Sequence, residues 1–400
     1  MSVQPSSAEG NRPFYHRVES IRGIGALLVA AFHATGMSIN GMALLPHVAW
    51  PDATTFQNVI RKIGTVLIPG HAALLVFFVI SGFVLRLSLQ HGPQRKAPMS
   101  GKFFIGRLFR FYPIVIAGAL LAAAVSLVGI GPAWAFNAGE LIANCFLLDV
   151  SLNPPLWALQ LELLMVPVIL LFFLIERRLG PGAVFIIAII TTGLAFAPGW
   201  AYFRPLSQNM FAFALGMVVP TLGREFVGRF TAKQANLWIL ASVLTLFATG
   251  PCLGIYSQYS TMIEGWVGFA LVAFATYRQD VSVMKSLDNR ALRMLGSASG
   301  SYYVLHMSWL YVLVYFMAML VPAGWSQNAP ALVGIAVILA CLILLIPVAL
   351  LSYKLIEVPG IGLGRMLFKR LGLDGRAEKE KHAAAAETAP VEVTAASPTK

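Results

Sequence analysis

The chain has 400 residues, 58% of them hydrophobic and only 12% charged, with a mean hydropathy of +0.75. Soluble globular domains carry about twice that share of charge, so the composition excludes one and puts the chain in a lipid bilayer. A formal net charge of +12 would suit a nucleic-acid binder, but the Lys and Arg sit in short segments between apolar runs, as membrane topology requires, so no nucleic-acid partner is expected.

The first 17 residues are polar, with no apolar stretch ending in a small-residue cleavage site, and read as an N-terminal cytoplasmic tail rather than a signal peptide. Apolar runs then recur at residues 18–38, 63–87, 111–131, 157–175, 183–198, 206–222, 236–250, 260–277, 297–320 and 330–352. The expected fold class is all-α, a bundle of about ten transmembrane helices occupying residues 18–370. Alternate connections carry the positive charge: Arg12, Arg17 and Arg22; Arg95, Lys96, Lys102, Arg107 and Arg110; Arg177 and Arg178; Arg224, Arg229 and Lys233; Lys285, Arg290 and Arg293; then Arg365, Lys369 and Arg370. The opposite connections hold little beyond Arg61, Lys62 and Arg204, which predicts both termini in the cytoplasm. Two of these outer connections stand apart, residues 39–62 with His47, Trp50 and Asp52, and residues 132–156 with Trp134, Glu140, Asp149 and Asn153. They read either as substrate-facing loops or as interfacial helix starts. Residues 371–400 are rich in Ala, Glu, Lys, Thr and Pro and are expected to be a disordered cytoplasmic tail. Cys145, Cys252 and Cys341 have neither metal-ligand nor disulfide spacing.

Ionisable groups inside apolar helices are costly and therefore mark function. Arg22 and His33 are eleven positions apart in the first span, about 16 Å of rise and about 20° of rotation, so they share a face. The second span holds His71 after Pro69-Gly70, and Ser81-Gly82 within FFVISGF, where small residues equally serve close helix packing. Arg107 and Arg110 lie three apart at the expected start of the third span and suit phosphate, or equally a lipid headgroup. Glu162 enters the fourth span one and a half turns after Pro155-Leu156-Trp157, and Ser299, Tyr302 and His306 make a polar stripe on the ninth. A transporter or flippase of a lipid-linked sugar, moving protons through intramembrane His and Glu, is the rival from another class.

Together these segments resemble the bacterial acyltransferase 3 family, integral-membrane enzymes that O-acylate cell-envelope polysaccharides and other glycoconjugates. The resemblance covers about residues 14–370 and rests on Arg22 with His33, FFVISGF at Phe77–Phe83, RLFRFYP at Arg107–Pro113, PLWALQLE at Pro155–Glu162, SYYVLH at Ser301–His306 and LSYKLIEVPG around Glu357. It implies a multi-pass protein of the bacterial inner membrane with no bound cofactor. His33 and Arg22 would be essential, and a cytosolic acyl-CoA, with acetyl-CoA the expected donor, would supply a group to a carbohydrate or glycolipid acceptor on the outer side. His33 would serve as base or acyl carrier, Arg107, Arg110 and Ser81 would bind the donor, and Glu162, Tyr302, His306 and His71 would orient the base or the acceptor. The chain departs from the pattern at Ala158, in place of a frequent serine, and in the Leu-Leu-Met-Val-Pro that follows Glu162. It shows a short polar tail where some members add a soluble hydrolase-like domain, so acceptor choice is expected from the bundle, its loops or envelope-polysaccharide assembly proteins.

Overall fold

The computed structural model describes residues 15–46, 52, 54–91, 96–131, 136–197 and 203–372. His47, Trp50 and Trp134, the chain before Tyr15 and the polar tail from residue 373 lie outside the described residues. The architecture is a helical membrane bundle. Its helices are α1 (His16–Thr35), α2 (Phe56–Val66), α3 (Gly70–Gln90), α4 (Lys96–Leu127), α5 (Ala138–Cys145), α6 (Trp157–Leu179), α7 (Pro181–Leu194), α8 (Arg204–Val218), α9 (Arg224–Gly228), α10 (Ala232–Leu253), α11 (Gln258–Tyr277), α12 (Arg290–Ser297), α13 (Ser299–Leu320), α14 (Ala323–Asn328), α15 (Pro330–Ser352) and α16 (Val358–Arg370).

Seven helical runs are long and apolar enough to cross a membrane, those containing α3, α4, α6, α8, α10, α13 and α15. That is three fewer than the sequence suggests. At 14 residues α7 is short. Helices α1 and α11 are 20 residues each, about the 30 Å of a hydrocarbon core. They are less apolar because α1 carries Glu19, Arg22 and His33 and α11 carries Glu264.

Three local features depart from the expected spans. The run before α3 is not its first turn but a separate amphipathic helix, α2, which starts at Thr55, whose side chain accepts from the Asn58 amide at 3.2 Å. Helix α4 runs unbroken through Pro113, so Arg107 and Arg110 project from the middle of a 32-residue helix and not from its start. After α15 a π-helical stretch, Tyr353–Glu357, leads into α16. Between α1 and α2 a two-stranded hairpin pairs β1 (Ser38–Ile39) with β2 (Met42–Ala43). Its turn residues Asn40 and Gly41 have φ of 50° and 78°, the positive pair that Asn-Gly favours in a tight hairpin.

Helix α1 is central, packed against α3, α12, α13 and α15. Small residues set the closest approaches. A Cβ on Gly82 of α3 would stand 2.0 Å from the Phe213 carbonyl oxygen of α8, and one on Gly216 of α8 would stand 2.0 Å from that of Val79. The two backbones therefore touch where α3 crosses α8, and Gly82 is a packing residue.

Candidate active site

Helices α1, α3, α4, α6 and α13, with the π-helical stretch after α15, line a partly open cavity. Its polar lining is Arg22, Ser81, Arg107, Arg110, Glu162 and Glu357, together with the hydroxyl of Ser299. Arg22, Ser81, Arg107, Arg110, Glu162 and Ser299, all singled out in the sequence, thus meet in one space. Ser81 donates its hydroxyl to Glu162 Oε1 at 2.8 Å across α3 and α6, and Ser301 donates to Glu357 Oε2 at 3.0 Å. Arg22 is held by Glu19, one turn earlier on α1, at 3.2 Å. Arg107 lies in electrostatic range of Arg110, Glu162 and Arg22. Ser299 is buried, and its hydroxyl has no hydrogen-bond partner within the protein. Three guanidiniums and several apolar side chains (Leu74, Phe77, Phe78, Leu159) in one cavity suit a ligand that joins a strongly anionic group to an apolar one.

His33 does not line this cavity. It faces a second, open one, with Met37, Gly131, Tyr311, Val314 and Tyr315. The helical phase that put Arg22 and His33 on one face of α1 is nevertheless visible, because both turn toward α13. Between the two cavities stands an aromatic partition. Tyr303 lines the first cavity, its ring lies 5.4 Å from that of His306, and the His306 ring lies 5.1 Å from that of His33. Tyr303 donates its hydroxyl to the Pro155 carbonyl at 2.5 Å. His306 is fully buried, with Nδ1 2.5 Å from the Tyr303 carbonyl and Nε2 without a partner. A carbonyl can only accept, so Nδ1 carries the proton and Nε2 presents a lone pair.

Tyr302 is elsewhere: its hydroxyl donates to the Leu342 carbonyl of α15 at 3.2 Å, and it lines none of the cavities described above. Spacing alone could not separate it from Tyr303. Counted from Ser299 at 100° per residue, Tyr302 falls about 60° to one side and Tyr303 about 40° to the other, and packing against α15 decides which faces the cavity.

His71 belongs to a separate cluster at the start of α3. Its Nδ1 is 2.6 Å from Glu264 Oε2 of α11, and Glu264 Oε1 accepts from the Thr249 hydroxyl of α10 at 2.8 Å. These groups border a third cavity with Lys62 and Thr65. Phe32, the neighbour of His33, turns into that third cavity, so α1 separates it from the space His33 faces. Glu264 escaped the sequence reading, although an isolated carboxylate in an apolar run carried the same signal as His33. Arg86, near the C-terminal end of α3, is buried and paired with Glu176 of α6 at 2.7 Å. In the loop after α5, Asp149 accepts from the side chains of Ser151 and Asn144 and from two backbone amides. Those bonds, the Ser151 hydroxyl foremost, hold its carboxyl below the usual carboxylate range. Asn153 donates to the Val304 carbonyl at 3.0 Å. Asn153 thus braces the loop against α13, while Asp149 orders the loop from within. Among the described residues no group of three or more His, Cys, Asp or Glu is arranged to hold a metal ion.

Comparison with known proteins adds one finding. The family model described as an acyltransferase domain, that of the acyltransferase 3 family, matches residues 15–353. No curated protein and no solved structure matches the chain.

Proposed function

The chain belongs to the acyltransferase 3 family and is a membrane acyltransferase; from that premise we propose that it moves an acetyl group from cytosolic acetyl-CoA to a hydroxyl of a cell-envelope carbohydrate or glycolipid. The observation that carries this reading is the cavity that gathers Arg22, Arg107 and Arg110 together with apolar side chains. Guanidinium forks bind phosphate oxygens bidentately. The nucleotide and pyrophosphate of the donor would lie against them, and the thioester would point inward toward Tyr303.

The acceptor hydroxyl would enter from the cavity that His33 faces. A neutral hydroxyl is a weak nucleophile, and an imidazole has the basicity near neutral pH to take its proton as it attacks. In this route an unprotonated ring nitrogen of His33 removes the hydroxyl proton while the oxygen bonds to the thioester carbon. The carbon–sulfur bond then breaks, and the thiolate leaves with the proton returned by His33. The His306 Nε2 lone pair, one ring away, would orient the His33 ring or share its proton. Attack by His33 itself on the thioester, giving a transient acyl-imidazole, is a second reading; in either route the thioester has to reach His33 past the Tyr303–His306 partition. Glu162, hydrogen-bonded to Ser81, would tune the donor end of the cavity.

Purified protein in proteoliposomes, supplied with labelled acetyl-CoA and an envelope glycolipid extract, tests the proposal. Transfer should be lost in His33→Ala with the thermal unfolding midpoint retained. Full transfer by that variant would overturn the role of His33. Mass spectrometry of envelope glycans with and without the protein should show an acetyl mass difference on the acceptor. Trapping labelled histidine without acceptor would select the acyl-imidazole route.

A further inference from the structure

Phe77 borders two cavities. On one side it lines the deep end of the polar cavity, with Leu74 and Phe78. On the other it lines a fourth, partly open space between α1, α3, α10 and α11, which is walled by apolar residues such as Ile24, Leu28, Val76 and Val243, with Ser286 its one polar side chain. Ile80, one turn away, also borders both. The ring rests on bare backbone of α1: a Cβ on Gly25 would stand 3.0 Å from Phe77 Cε2. Hence Phe77 and Ile80 form a wall one side chain thick between the place a thioester would reach and a chamber with hydrocarbon character.

Resting on the acyl-CoA reading above, we propose that Phe77 sets the acyl-chain length of the donor by closing the polar cavity off from this apolar chamber. The guanidiniums fix the anionic head. Leu74 lies seven residues beyond Ser81 along α3, about 10 Å deeper, so the inward end of the donor meets the Phe77 ring. An acetyl group ends at the ring. Each further methylene would need space that only the fourth chamber offers, and methylenes are discriminated by about tenfold or more when a pocket lacks room for them.

The experiment measures thiol release from acetyl-CoA and octanoyl-CoA by the purified full-length protein supplied with the same envelope glycolipid extract as acceptor. Wild type should prefer acetyl-CoA, and Phe77→Ala should raise the octanoyl-to-acetyl ratio by at least about tenfold. The double variant Phe77→Ala/Val243→Phe, which refills the chamber from α10, should bring the ratio back down; this separates gained space from general loosening. Phe77→Leu, a milder change, should shift the ratio in the same direction and serves if Phe77→Ala does not fold. An unchanged ratio in variants that still use acetyl-CoA would overturn the inference and leave the chamber to bilayer lipid. No release from either donor by wild type would overturn the acyl-CoA reading itself, and this inference with it.

Discussion

The three guanidiniums of the polar cavity are not equivalent. Arg22 is already paired with Glu19 at 3.2 Å, whereas Arg107 and Arg110 stand side by side on α4 facing the same space. Two like charges one turn apart repel, and a polyanion between them relieves that repulsion while accepting their hydrogen bonds. Arg107→Ala and Arg110→Ala should therefore each raise KM for the donor by about tenfold or more, with kcat changed less. Arg→Lys should recover part of the loss, because the charge remains and the fork does not. Initial rates at varied acetyl-CoA check this, and an unchanged KM in both alanine variants would remove phosphate from the cavity. The cost of an ionisable group in an apolar helix made Arg22, His33 and Glu162 legible in the sequence. The same rule also applied to Glu264, which the sequence reading passed over. The partition was only half legible: the same rule picked out His306, but Tyr303 matters through its distance from His306, and a single helix phase carries no information about which neighbour faces it.

At the scale of elements, two contacts fix how the helices meet. The first is the crossing of α3 and α8, where a Cβ on Gly82 would lie 2.0 Å from the Phe213 oxygen. Ala is the better helix former by about 1 kcal/mol, yet at this position its methyl has no space. Gly82→Ala should lower the thermal midpoint, by an amount equivalent to about 1–3 kcal/mol for overpacking. At Gly182 on α7, where an added Cβ meets nothing within 4 Å, the same change should be neutral or stabilising. Thermal unfolding in detergent compares the two, and equal effects would refute the close crossing. The second contact joins the start of α1 to the segment before α12. Arg17 is 3% exposed and donates to Asp288 at 2.9 Å and to the carbonyls of Arg278 and Gln279. Those bonds hold the Asp288 carboxyl below its usual range. A depressed folded value means stability that is present above the unfolded carboxylate range and is lost as the pH falls through the folded value. Asp288 is 43% exposed, so Asp288→Asn should cost about 1 kcal/mol or less at neutral pH. The gap from wild type should close as the medium is acidified below about pH 4. The extents of most helices were legible from apolar run length. The break between α2 and α3 and the passage of α4 through Pro113 were not, because both depend on how neighbours hold the backbone rather than on local composition.

Across the whole molecule the charge is distributed by end. Following the helices back and forth from α1, the connections after α3, α6, α8, α11 and α15 hold Lys102, Arg177, Arg178, Arg229, Lys233, Lys285, Arg290, Arg293, Arg365 and Lys369. The connections at the other end hold Arg61, Lys62 and Arg204. Basic residues are retained on the cytoplasmic side during insertion, so the end where α1 begins should face the cytoplasm. The cavity with Arg22, Arg107 and Arg110 would then receive a cytosolic donor, and the cavity of His33, at the far end of α1, would receive an outer acceptor. Cys252 offers a direct check. It is exposed near the C-terminal end of α10, whose N-terminal end lies beside the basic connection after α8, so it belongs to the end that His33 occupies. A membrane-impermeant maleimide should label Cys252 in intact cells in which the outer membrane alone has been opened, and Cys252→Ser should abolish the signal. A cysteine placed at Ser286, before α12, should react only after the inner membrane is permeabilised. The opposite pattern would invert the bundle, put the arginine cavity outside, and rule out a cytosolic thioester as its ligand.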